Sequence, residues 1–225
     1  MDDKGYVRLV GVLGDDLSVV NAARVSFNKE SQSLNSADKK LIFYLAKHEH
    51  TSPFRHEYLT FEVYTPLMVA RQWWKHCIAS NYCEASGWNE SSRRYVTEDC
   101  EFYIPKEWRL KGKNIKQGSS DEIFSESKDL SEKLEEHIKK SLDLYNEALE
   151  KNICIEQARF FLPAYILYVR FRWSASLQAV HNFIRLRTDP SAQKEIRDYA
   201  IEVEKLVKEK FPVSLEALNS THSKE

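Results

Sequence analysis

Tyr6 to Leu13 (YVRLVGVL) is a short apolar-rich run that reads as a strand, and Gly14-Asp15 ends it. Leu17, Val20, Ala23 and Arg24 then recur at helical spacing. Ser36 stands where it can cap a second helix carrying Leu41, Tyr44, Leu45 and His48, and Ser52-Pro53 breaks that helix. Apolar positions alternate from Tyr58 to Tyr64. Thr65-Pro66 opens the next helix, with proline at the first helical position, and the pattern runs through Val69 and Trp73 to about His76. Cys77 to Gly87 has no period and reads as loop, whereas Phe102 to Ile104 reads as a short strand. Polar, glycine-containing Lys111 to Asp121 reads as a surface excursion.

Leu130, Leu134, Ile138, Leu142, Tyr145 and Leu149 mark a long amphipathic helix. A shorter helix is expected from Ile155 to Leu162, closed by Pro163. Tyr165, Leu167, Val169, Phe171 and Trp173 alternate with Arg170 and Arg172 as a strand should. Two more helices are expected, near Leu177 to Leu186 and from Ser191 to about Lys210. Strands separated by helices without a steady βαβ rhythm predict an α+β fold. The expectation is a single domain over residues 1–225, a mixed or antiparallel sheet with packed helices and a long C-terminal helical portion.

Composition narrows the function. The chain of 225 residues is 42% hydrophobic and 30% charged, ordinary for a globular domain with a substantial core. Its formal net charge of −1 argues against broad binding to a nucleic acid polymer, which depends on excess Lys and Arg. An anion site must therefore be a local cluster. The start, MDDKGYVRLV, has no basic and apolar leader pattern, and no apolar run approaches the roughly 18 residues of a membrane span. Cys77, Cys83, Cys100 and Cys154 form no Cys-x-x-Cys pair, so free thiols in the cytoplasm are expected, with no membrane partner.

The candidate chemistry concentrates between Arg71 and Tyr95, RQWWKHCIASNYCEASGWNESSRRY. Gln72, Lys75 and His76 are three and four apart and share a helix face, which in isolation reads as a solvated polar face. Glu90 and Arg94, four apart, read alone as a surface ion pair. Ser92 beside Arg93 and Arg94 suits a phosphate, which accepts from guanidinium forks and hydroxyls. His48-Glu49-His50, with His56 nearby, has no evident third ligand, so no metal is expected. Cys77 follows Lys75 and His76, an electropositive setting for a nucleophile, though no local nucleophile signature accompanies it. Arg159, Asn182, Arg185 and Arg187 are further candidates, and Arg187 also complements a helix C-terminus.

The order Arg-Gln-aromatic-aromatic-basic-His, then Asn-Glu-x-Ser-x-Arg-Tyr, resembles the signature of the flavin-dependent thymidylate synthases. Asp16-Leu17-Ser18 through Phe27, Lys47-His48-Glu49-His50-Thr51-Ser52-Pro53-Phe54, Glu101 to Pro105, Ala158 to Pro163 and Asn182 to Arg187 extend the likeness in matching order. The resemblance implies conversion of dUMP to thymidylate, with methylenetetrahydrofolate as carbon donor and NADPH-reduced FAD as hydride source. Gln72, Trp73, Trp74, Lys75, Glu90, Ser91, Ser92, Arg93, Arg94 and Arg159 match nucleotide-binding positions. Arg187 matches the arginine that promotes ionisation of uracil, and catalytic roles fall on Arg187, His50 and Ser92. Ser52, Lys75, His76, Cys77, Glu90, Ser176, Leu177, Gln178 and Asn182 match flavin-binding positions, and His50 matches a histidine near flavin and folate. The family's homotetramers share sites between subunits.

Four departures stand out. Cys77 and Gln178 replace arginines, Ser176 replaces an asparagine, and extra residues lie within Asn81 to Gly87. Two rivals remain at this level: a cysteine-dependent transferase using Cys77 or Cys83, and a non-catalytic nucleotide-binding module.

Overall fold

The computed structural model describes residues 2–78, 86–93, 99–112 and 119–221. Four antiparallel strands, β1 (Tyr6–Leu13), β2 (Tyr58–Pro66), β3 (Gly87–Glu90) and β4 (Tyr168–Ser176), form one sheet in the order β1-β2-β4-β3. The expected α+β class holds, with antiparallel pairing throughout. The register pairs Leu59 with Ala175, Phe61 with Trp173 and Val63 with Phe171, which puts every second side chain on one buried apolar face. The other face is polar: Thr60 and Ser174 hydroxyls lie 2.9 Å apart, and Glu62 takes both Arg8 and Arg172.

Helices α1 (Asp16–Arg24), α2 (Ser36–Lys47), α3 (Leu67–Ile78), α6 (Leu177–Arg187), α7 (Lys194–Lys210) and α8 (Pro212–Ser220) contribute to the main core against the apolar face. Trp73 of α3 stacks on Phe183 of α6 at 4.2 Å and meets Phe171 and Trp173 edge-on. Truncating a fully buried ring such as Phe183 to alanine should cost about 3–5 kcal/mol. A second cluster, built on Phe102, Ile138, Tyr145, Ala158, Leu162 and Leu167, lies between the long α4 (Ser127–Glu150) and the segment through α5 (Ile155–Ala158).

Several boundaries differ from the sequence pattern for identifiable reasons. Asn35, not Ser36, caps α2: its Oδ1 accepts from Ala37 and Asp38, and Asp38 returns the capping box. Pro66 ends β2 opposite Tyr168 rather than opening α3, and the Leu67 N–H donates to the Leu167 carbonyl at 2.8 Å. Phe102 makes only an isolated bridge with Leu167. The expected strand from Tyr165 begins at Tyr168, because Ala164–Ile166 follow Pro163 in a single 3-10 turn. The helix expected from Ile155 to Leu162 tightens at Arg159 into a 3-10 turn. Within the region expected to be loop, Cys77 and Ile78 complete α3 and Gly87 opens β3; residues 79–85 lie outside the described residues. The core of the Lys111 to Asp121 excursion, 113–118, also lies outside them. Helix α8 went unread, although Pro212 restarts the helix at a favourable first position. Its N-terminus is held by buried Asp16, which accepts from the N–H groups of Val213 and Ser214 at 2.9 and 2.8 Å.

Candidate active site

Strand β2 runs directly into α3 and β4 directly into α6, so two neighbouring strands place two helices over the same core. The helices meet at Trp73 and His76 on one side and Phe183 and Arg187 on the other. Arg187 Nε donates to His76 Nε2 at 3.0 Å, and the imidazole sits edge-on to Phe183. Burial, aided by the Arg187 charge, pushes the His76 pKa down to about 4, so the ring is neutral at physiological pH. Half-buried Arg187 has its own pKa lowered by desolvation, yet a guanidinium stays charged. Among the described residues no carboxylate pairs with it. A desolvated cation beside a neutral acceptor is costly unless a ligand answers it.

Strand β3 brings a carboxylate beside Arg71 of α3. Trp88 stacks on Phe171 at 4.0 Å and pins β3 to β4. Although solvent reaches Glu90, crowding raises its pKa by desolvation, against Arg71 and the Trp88 indole, which lower it. Glu90 ends strand β3, and Arg94, its expected ion-pair partner, falls outside the described residues. Ser91 prolongs the ladder: its N–H donates to the Arg170 carbonyl at 2.8 Å, and its Oγ accepts from the Arg170 N–H at 3.0 Å. Ser92 and Arg93 follow, half-buried, with Arg93 Nη2 donating to the Asp99 carbonyl.

The structure sorts the remaining candidates. Lys75 is exposed and Trp74 half-buried under Arg71, but His76 turns inward, so Gln72, Lys75 and His76 do not form one solvated face. Trp73, expected at the nucleotide, is fully buried, and its ring packs within the main core. Cys77 is half-buried against the core, and Cys83 lies outside the described residues. Ser176 caps α6 by accepting from Ala179 N–H, and the Leu177 N–H is taken by the Glu57 carbonyl at 2.9 Å. Gln178 is buried with its Oε1 unbonded, and Asn182 Oδ1 accepts from Arg185.

His50 and Ser52 line a cavity of about 610 Å³ with Phe27, Lys29 and Tyr44. The Tyr44, His48 and His50 rings cluster there, and no group of three His, Cys, Asp or Glu among the described residues could hold a metal. Arg159 stands apart from the seam, half-buried at the end of α5, with Nε donating to the Glu156 carbonyl. Sequence reasoning missed the electrostatic contact of Arg71 with Glu90, and it missed Gln193, whose side chain bonds Gln72 at 2.7 Å. No spacing rule links residues 121 positions apart.

The family described as thymidylate synthase complementing protein matches residues 8–213. A flavin-dependent thymidylate synthase of Thermosipho melanesiensis is 42% identical, covering 96% of this chain and 90% of the relative. One from Thermus thermophilus is 40% identical, covering 94% of this chain and 74% of the relative. The crystal structure of a UMP/dUMP methylase, PolB from Streptomyces cacaoi bound with 5-Br dUMP, superposes with a TM-score of 0.83 at 28% identity, covering 96% and 95% of the two chains.

Proposed function

The chain belongs to the family of flavin-dependent thymidylate synthases, and on that premise we propose how its own residues perform the conversion of dUMP to thymidylate. The observation that carries the reading is Arg187: a half-buried cation whose described partner is a neutral histidine. His76 orients the guanidinium without cancelling its charge, as a carboxylate would. The free guanidinium edge then stabilises negative charge developing on the uracil ring, which makes carbon 5 nucleophilic without a cysteine adduct. Arg71, Gln72, Lys75, Glu90, Ser92 and Arg93 surround the nucleotide, with Arg94 completing the motif in sequence.

FAD, when bound, supplies the hydride and one-carbon chemistry that side chains lack. The chain offers it fitting groups. The cavity at His50 and Ser52 combines aromatic walls with Lys29, suited to a ring system that carries phosphate. Buried Gln178 Oε1 is an acceptor awaiting an N–H donor, which both rings of FAD carry. Lys75, His76, Cys77, Ser176 and Asn182 complete the flavin set. Cys77 and Gln178 remove two positive charges that the family usually places there, which predicts weaker FAD retention. NADPH and methylenetetrahydrofolate serve as co-substrates.

We read the working form as a cytoplasmic homotetramer. Arg159 is flanked by exposed Phe160 (77%) and Tyr165 (73%), apolar surface of the kind a second copy covers. No described helix is long and apolar enough to cross a membrane. Purified protein given FAD, NADPH, methylenetetrahydrofolate and dUMP should form thymidylate, with flavin absorbance following the protein on a column. Nucleotide binding with neither flavin binding nor turnover would instead identify a non-catalytic module.

A further inference from the structure

The turn joining α6 to α7 touches α3 twice. Arg187 meets His76, and one helical turn away Gln193 meets Gln72. Gln193 occupies the N-cap position of α7 but makes no capping bond. Its side chain is committed elsewhere, in a chain of hydrogen bonds with a fixed direction. Arg109 Nη2 donates to both oxygens of Glu195 at 2.8 and 2.9 Å, and the two side chains are largely buried. Burial would raise the Glu195 pKa, but the bonds from Arg109 and Gln193 outweigh it and hold the group ionised.

An ionised carboxylate only accepts. Gln193 must therefore point its amide nitrogen at Glu195, where Nε2 lies 2.9 Å from Oε2. That leaves Gln193 Oε1 facing α3, and it accepts from Gln72 Nε2 at 2.7 Å. Gln72 is thus oriented in turn, and among the described residues nothing bonds its Oε1.

We propose that Arg109, Glu195 and Gln193 form a positioning relay that fixes the amide of Gln72, so that its carbonyl oxygen is presented to a hydroxyl or imide N–H of the bound nucleotide. A free glutamine amide flips between two orientations with different donor patterns; a glutamine held at its nitrogen offers one. The relay discriminates by hydrogen-bond polarity, and Glu195 acts at a distance from the ligand. The inference rests on the reading that Gln72 contacts the nucleotide.

The test titrates dUMP into FAD-loaded protein, following flavin absorbance, for Gln72→Ala, Gln193→Met, Glu195→Gln and the Gln72→Ala/Gln193→Met pair. Gln193→Met should weaken dUMP about two- to tenfold, the scale of one net hydrogen bond, with FAD affinity and kcat at saturating dUMP unchanged. The double variant should be no weaker than Gln72→Ala alone, because Gln193 acts only through Gln72. Fully additive losses, or a fall in kcat with unchanged KM, would overturn the relay. Should Gln193→Met not fold, Glu195→Gln carries the same comparison, with a smaller loss expected. If Gln72→Ala leaves dUMP affinity intact, the nucleotide assignment of Gln72 fails and takes the relay with it. If Gln72→Ala weakens dUMP while Gln193→Met and Glu195→Gln do not, the relay alone fails. Repeating the titration with the 3′-deoxy nucleotide identifies the donor: the Gln193→Met loss vanishes for a hydroxyl contact and persists for the imide.

Discussion

Arg187 and Arg159 are both assigned to the nucleotide, yet they occupy different surroundings. Arg187 is half-buried where α3 and α6 meet, fixed by a bond to a neutral ring and backed by the aromatic stack of Trp73 and Phe183. Arg159 is also half-buried, but it starts a 3-10 turn away from that seam, with Nε donating to the Glu156 carbonyl of α5, next to Phe160, whose ring faces solvent. The first arginine is preorganised by its own chain. On the proposed reading of a site shared between copies, a second chain completes the surroundings of Arg159.

The largest expected effect breaks the preorganised side. Arg187→Ala should lower kcat by about 10²–10³, the usual cost of one charge-stabilising donor, while FAD still binds. Near-normal turnover would remove Arg187 from the mechanism. Arg159→Ala should act on affinity instead: losing a charged hydrogen bond costs about 1.5–3 kcal/mol, read as a weaker Kd for dUMP with a smaller change in kcat. Unchanged affinity would refute the assignment.

Burial around the seam also leaves a signature in stability against pH. His76 has its pKa lowered to about 4, so between pH 4 and 6.5 the unfolded chain binds a proton that the folded chain does not, and stability rises with pH. Glu57, whose carbonyl anchors α6, has its carboxyl pKa raised to about 7 by burial, with Asp15 and Asp16 adding to the rise. Between pH 4.5 and 7 the folded chain holds the extra proton, so stability falls as pH rises. The two slopes oppose each other from pH 4.5 to 6.5. Glu57→Gln should expose the His76 slope, up to about 1.4 kcal/mol per pH unit in urea unfolding across that window. A profile as flat as the parent's would contradict both assignments. The smallest effect belongs to Cys77→Ser, which should retain most turnover at saturating FAD. Collapse with flavin and nucleotide still bound would establish a covalent cysteine mechanism.

Much of this was legible in the sequence where periodicity and chemistry coincide. A short apolar-rich run located β1, alternation located β2 and most of β4, and apolar spacing located α4, α6 and α7. The motif residues His76 and Arg187 were both identified, but not their contact: nothing local encodes a bond across 111 residues. The packing of Trp73 on Phe183 was not legible, because an aromatic beside basic residues looks the same whether it stacks on a base or in the core. Strand β3 was unreadable because only Trp88 of its four residues packs on the core, so four positions carry no period. Gln193 and Glu195 were invisible because polar residues at the start of a helix are unremarkable until their partners are known.

The contrast between the two arginines has one direct test. Equal amounts of Arg187→Ala and Arg159→Ala chains are unfolded together, refolded with FAD, and assayed for thymidylate formation at a dUMP concentration well below the Kd of Arg159→Ala, where each separate variant is nearly inactive. If Arg187 and Arg159 of one site come from different chains, about a quarter of the sites in a randomly mixed symmetric oligomer receive both arginines, and activity returns to that extent. The account predicts this recovery. Activity no greater than the mean of the two separate variants would place both arginines on one chain, and would contradict a site shared between copies.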